Sequence, residues 1–473
     1  MCQNAKEMLE FIKKSPSCFH VVSNLKEQLC SAGFEELSEQ NVWKIENGKK
    51  YFVCRNGSSI ISFAIPASDC GKKESKRNFD GFLITASHSD SPSFKIKENP
   101  EMNAAGFVRL NVEKYGGMLL NPWFDRPLSF AGRVIYTTED GDKTKICQKL
   151  VNIDKDLLLI PNLAVHMSRD ANDGKKIDLQ KEIVPVISQT PDFSFVKYLA
   201  DAAQIEESNI QGYDLFLYNR DEGRFWGADD EFISSPKLDD LECVWTTFKG
   251  FLKGAQNMDC PKIGQTSNSG NVSNNTQTSK NDGQTCNASK VLVHVVYDNE
   301  EVGSASRQGA DSTFLKDVLE RINFCFGGSL QEYQAAVANS FLVSADNAHS
   351  VHPNYVSAAD PVNQPKVNQG VVIKFNASQK YTSDGISGAM FKAVCQKAGV
   401  PFQVFTNNSN IQGGSTLGNI STSQVSVRSV DIGLAQWAMH SPNESAGERD
   451  VDYMINAIES FYSDSVCCYL TAD

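Results

Sequence analysis

At 473 residues the chain is longer than one ordinary domain, and with 41% hydrophobic residues it can bury a sizeable core. A formal net charge of -12 argues against a nucleic-acid or anionic-membrane partner, since both need a basic face. No apolar run reaches the roughly 18 to 20 residues of a membrane helix, residues 1–14 lack the basic-then-apolar pattern of a signal peptide, and 13 cysteines without a C-x-x-C pair read as free thiols of a reducing compartment. The expected location is cytoplasmic.

Apolar residues at Met8, Leu9, Phe11 and Ile12, then at Val21, Val22, Leu25 and Leu29, predict two helices broken at Ser15-Pro16-Ser17. Strands at 51–54 and 60–65 flank an Asn56-Gly57 hairpin turn, and 70–78 reads as a solvated loop. Phe82 to Thr85 is a buried-strand candidate that leads into His88 and Asp90, two residues apart and so on one face of an extended chain. A histidine there has two readings, a structural group or a zinc ligand with a carboxylate behind it.

From about 91 to 236 the pattern changes to short strands and turns, which predicts a mainly β module inserted into an α/β domain. It contains the aromatic turn Asn121 to Arg126 and a histidine, His166, that follows an apolar run. Asp239 and Asp240 then precede a predicted helix that either could cap. Residues 264–289 are almost purely Gly, Ser, Asn, Thr and Gln, a low-complexity loop.

Val291 to Tyr297 is short and β-branched, the pattern of a strand buried on both faces of a mostly parallel sheet. In such sheets ligands gather at the carboxyl ends of strands, where this one carries Glu300 and Glu301, and alternation of side chains would give the two glutamates different tasks. The next strands repeat the theme: Phe341 to Ser344 ends in Asp346, His349 and His352, another bears Lys374 and is followed by Tyr381, and the last leads to His440. A final helix is expected over 450–468. His88, Asp239, Glu301, Asp346 and His440 together make two histidines and three carboxylates, the inventory of a two-zinc hydrolytic site, with Glu300 left over.

The motifs ASHSDSP, SPKLDD, DNEEVGS, SADNAHSVHPNY, GGSTLG and DIGLAQWAMHS, in this order, resemble those of the aspartyl aminopeptidase family, which includes vacuolar aminopeptidase I and bacterial relatives. The resemblance runs from about residue 5 to 470 and implies a co-catalytic dizinc aminopeptidase that acts on peptides. It implies that His88 and Asp346 hold one zinc and Glu301 and His440 the other, with Asp239 bridging; Co2+ or Mn2+ could substitute. Glu300 would be the general base and Asp90 the partner behind His88.

The same resemblance implies an α/β catalytic domain, with a mixed, mostly parallel sheet flanked by helices, in two parts (1–90 and 237–473), interrupted at 91–236 by a β-rich dimerisation domain. It further implies a tetrahedral homododecamer in which His166 reaches a neighbouring subunit's site. Lys374, Tyr381 and His349 would contact substrate, with Lys374 facing an acidic side chain. One departure is Ser409-Asn410, where bacterial relatives tend to carry Ser-Asp before the Gly-Gly-Ser-Thr turn. The expected substrates are peptides with N-terminal Asp or Glu; the alternatives are a preference for Leu or Met, or an inactive oligomeric scaffold.

Overall fold

The computed structural model describes residues 2–67, 77–258, 289–411 and 413–463. The expected loops at 70–78 and 264–289, apart from Arg77, Asn78 and Ser289, and the end of the final helix lie outside these residues.

A nine-stranded mixed sheet forms the frame. Its centre is Ser289–Tyr297, Phe79–His88, Phe341–Ala345 and Arg428–Gly433 side by side, each pair parallel, so that four strands end at one rim. The hairpin Lys50–Arg55 and Ser59–Ala64 extends one side, turned by Asn56 (φ 57) and Gly57 (φ 70), both left-handed as a tight hairpin turn requires. Val371–Phe375 and Phe402–Thr406 extend the other.

The Val291 run shows why these residues form a central strand. Val291, Val293, Val295 and Tyr297 point into one hydrophobic core, while Leu292 and Val296 point into the opposite core, so both faces are covered. Helices Leu238–Asn257 and Glu448–Tyr462 cover the second face together with Gln3–Lys13 and Cys18–Ser31.

Between Phe79–His88 and Leu238–Asn257 the chain builds a six-stranded antiparallel sheet in the order Lys143–Asn152, Leu128–Asp140, Ile210–Asn219, Ser93–Ala104, Phe107–Tyr115, Val186–Ser188. It has its own core around Phe94, Leu110, Phe130, Phe195 and Leu215. Arg133 fastens it to the frame: its guanidinium donates to the Asn56 carbonyl and to Asp214, and lies 4.4 Å from the Phe19 ring centroid. Residues 224–235 do not join this sheet. Arg224–Trp226 and Phe232–Ser235 pair instead in a small sheet with Glu444–Gly447, Ala435–Trp437 and Ala348–His349.

Candidate metal centre

Strand order brings the candidate residues to one rim. Tyr297 is in register with His88, and Phe341–Ala345 runs parallel on the other side of the His88 strand, which puts Asp346 beside it. Gly433 permits the close approach of the last strand, because a Cβ there would lie 2.0 Å from the Asp346 carbonyl. The two glutamates differ from the extended strand end expected of them. Asn299 turns left-handed (φ 62), and Glu300–Val302 form one 3-10 turn closed by Gly303 (φ 94).

His88 Nε2 lies 3.4 Å from Asp239 Oδ1, while His440 Nε2 lies 3.3 Å from Asp239 Oδ2 and 3.5 Å from Glu301 Oε2. Ligand atoms of His88, Asp239, Asp240 and Asp346 lie within 4.8 Å of one another, as do those of Asp239, Glu301 and His440, and those of His88, Glu300 and Glu301. Among the described residues Asp239 Oδ1, Asp240 Oδ1 and Glu301 Oε1 are buried acceptors without a hydrogen-bond donor. A buried carboxylate oxygen with no donor is costly unless a cation faces it, so oxygen and imidazole donors in this arrangement fit divalent ions such as zinc, cobalt or manganese.

Electrostatics point the same way. Burial, then the Asp239 charge, pushes Glu301 well above the usual carboxylate range. Burial pushes Glu300 up to about 8, aided by Asp346 and Asp90 and opposed by His88. His88 moves the other way from an ordinary buried histidine: burial disfavours its charge, but Asp240, Asp239 and Asp90 outweigh that and raise it.

The surrounding hydrogen bonds refine several sequence expectations. His88 Nδ1 lies 3.1 Å from the main-chain carbonyl of Asp90 and 3.4 Å from its carboxylate. That carboxylate instead accepts the N–H groups of Glu300 and Glu301, both at 3.1 Å, so it clasps the glutamate turn. Neither Asp239 nor Asp240 is seen capping the helix as expected; both have non-helical backbone angles, and Asp240 accepts the His88 N–H at 3.2 Å.

Two groups near the ligands were not expected there: Asp240, read as a possible helix cap, and Glu444. Glu444 accepts the N–H of His440 at 2.6 Å and of Asp239 at 2.9 Å. The adjacent Asp pair in SPKLDD was a signal for Asp240. Nothing in the local sequence marks Glu444 except its spacing four residues after His440.

A family model described as Aminopeptidase I zinc metalloprotease (M18) matches residues 11–269 and 270–462. The chain belongs to the M18 peptidase family. Similar relatives include a probable M18 family aminopeptidase 2 of Clostridium acetobutylicum, 43% identical over 97% of this chain and 98% of the relative. Another, from Pseudomonas aeruginosa, is 36% identical over 97% of each. Among solved structures, the chain resembles one described as the complex of Ape4 and Nbr1 (35% identity, TM-score 0.86, 98% of this chain and 86% of that one). It also resembles the crystal structure of prApe1 (27%, 0.84, 97% and 94%). A third is the S. cerevisiae mApe1 dodecamer (25%, 0.78, 97% and 96%). This M18 peptidase is therefore a zinc metallo-aminopeptidase, a hydrolase of peptide bonds.

In the M18 peptidase a cavity of about 200 Å³ opens beside the carboxylates, lined among others by Glu300, His349, Lys374, Tyr381 and Phe405. Lys374 is buried and its Nζ donates to the main-chain carbonyls of Asp346 (2.8 Å) and Asn347 (3.3 Å). It sits 5.2 Å from the centre of the Tyr381 ring. Asp384 caps the helix Gly385–Ala398. The His349 ring stands 6.0 Å from Phe405. His166 is exposed and does not line this cavity; its neighbours Leu163, Val165 and Met167 are exposed as well. No helix among the described residues is long and apolar enough to cross a membrane.

Proposed function

We propose that this M18 peptidase removes N-terminal residues from peptides at a two-zinc centre, with Asp and Glu preferred. His88 and Asp346 would hold one ion, Glu301 and His440 the other, and Asp239 both. The observation that carries this reading is the division of Asp239, one oxygen towards His88 and the other towards His440, amid carboxylate oxygens that lack donors. Bound zinc supplies Lewis acidity and lowers the pKa of water that it coordinates.

The chain's own residues do the rest. Glu300, held by the Asp90 clasp on its N–H, takes a proton from the attacking water and passes it to the leaving amine. Glu300→Gln keeps the shape and removes the base, so kcat should fall by roughly 10² to 10⁴ with two zinc ions still bound. Near-normal turnover in a fully metallated variant would overturn the role.

Acidic preference rests on Lys374. An ammonium has three donors, and the two main-chain carbonyls use two of them at the cavity wall. A substrate carboxylate at the third gains a charge-assisted bond, worth about 1.5 to 3 kcal/mol or roughly ten- to a hundredfold in rate. A panel of dipeptides with free N-termini, run on wild type and Lys374→Met, tests this: the preference for Asp or Glu should vanish in the variant, and a wild type that favours Leu would refute it.

Assembly follows the mApe1 precedent. We infer a cytoplasmic homododecamer of tetrahedral form, with the inserted sheet, from 91 to about 223 and so shorter than the expected 91–236, as the oligomerisation domain and His166 reaching a neighbour's site. Exposed Leu163, Val165 and Met167 around that histidine support it, because such a patch favours burial against another subunit. Light scattering should report many times the 52.1 kDa of the chain.

A further inference from the structure

Tyr115 ends the strand Phe107–Tyr115 of the six-stranded sheet, yet its hydroxyl belongs to the network behind the glutamate turn. Asn299 Nδ2 donates to the Tyr115 oxygen at 2.9 Å. The amide orientation is set from its other end, where Asn299 Oδ1 accepts from Ser306 Oγ (2.8 Å) and Gln308 Nε2 (2.9 Å). With its oxygen engaged as an acceptor, Tyr115 donates its own O–H to Asp90 Oδ2 at 2.8 Å. Asp90 in turn accepts the N–H groups of Glu300 and Glu301.

The residues that follow press on the same ligands. A Cβ at Gly116, where φ is +78, would come within 3.0 Å of Glu301 Cβ and 3.2 Å of its carbonyl. Leu119 N–H donates to the His440 carbonyl at 3.1 Å. The segment 115–119 is thus the outer wall of the second ion's ligands, supplied by the inserted sheet.

We propose that Tyr115 is a positioning residue of the metal centre: its hydroxyl fixes the Asp90 carboxylate that clasps the Glu300–Glu301 turn, and so ties the inserted sheet to the geometry of base and ligand. This rests on the two-metal reading. Without the hydroxyl, Asp90 loses its side-chain donor and Asn299 Nδ2 loses its acceptor, and the turn gains freedom to rotate Glu301 away from His440. Partners one step behind a ligand typically matter by about 10- to 100-fold in metal affinity or activity.

The test uses the full-length protein, stripped with a chelator and titrated with Co2+ while its visible ligand-field bands are followed. Tyr115→Phe should bind the weaker Co2+ roughly 10- to 100-fold less tightly, with altered bands, and lose kcat by a similar factor at unchanged KM. Phe216→Leu is the control for packing: Phe216 meets the Tyr115 ring edge-on at 5.3 Å, so this variant loosens the contact but keeps the hydroxyl, and it should retain wild-type Co2+ affinity. Wild-type affinity and spectrum in Tyr115→Phe would overturn the proposal, as would equal weakening in Phe216→Leu. A wild type that takes up fewer than two Co2+ would overturn the two-metal reading and this proposal with it.

Discussion

Two histidines sit on neighbouring strands of the central sheet, both 1% exposed, and their fates are opposite. His294, in the middle of its strand, packs against the rings of Phe248 and Phe251, with Nε2 3.2 Å from the Thr247 hydroxyl. Burial alone lowers its pKa to about 3. His88, at the rim, is just as deep, but carboxylates surround it and raise its pKa instead. Depth therefore does not distinguish a core histidine from a functional one; the company at the strand end does.

The largest expected break of this symmetry is in metal binding. His88→Leu should lose bound zinc and reduce kcat by more than the ~10- to 100-fold that an outer partner costs. His294→Leu should keep its zinc and turn over within about twofold of wild type, since it touches no reacting group. Metal analysis alongside steady-state kinetics reads both, and a zinc-free His294→Leu would erase the distinction.

Metal removal sharpens it next. The rim gathers buried acids that a divalent cation can neutralise, so zinc should bind the folded chain in preference to the unfolded one. Excess zinc at about a hundredfold over Kd should stabilise the apo protein by roughly 2.7 kcal/mol, seen as a higher unfolding midpoint. Activity lost to a chelator should return with zinc, cobalt or manganese.

A third contrast is a pH slope. His294 has a folded pKa near 3 and an unfolded one near 6.5, so its contribution is fully present above about pH 6.5 and declines as the pH falls towards 3. Over that window wild type should lose about 1.4 kcal/mol per pH unit relative to His294→Leu. Denaturant titrations of the two proteins between pH 4 and 7 measure the difference, and parallel curves would contradict it.

Much of this was legible in the sequence for a physical reason. Val291 to Tyr297 advertises a doubly buried strand, and the polar residues after it and after Phe82 to Thr85 sit where parallel sheets present function. Motif order supplied the rest of the proposed ligand set. What sequence could not give depends on contacts between distant segments. Tyr115 meets Asp90 and Asn299 across a sheet boundary, and Glu444 bonds Asp239 only because Glu444–Gly447 pairs with Phe232–Ser235. Lys374, expected to face an acidic side chain of the substrate, has its ammonium bonded to two main-chain carbonyls as well. The left-handed Asn299, which replaces an extended strand end with a one-turn helix, left no local mark either, since asparagine adopts that conformation without a special neighbour.

The candidate ligands are spread from His88 to His440, and the strand order that unites them interleaves early and late segments of the chain. A polypeptide growing on the ribosome holds His88 and Asp239 long before Arg428–Gly433 and His440 exist to complete the rim. Contacts of such long sequence separation form late and slowly. On the proposed ligand set, a chain that stops short of His440 therefore cannot complete the second ion's site.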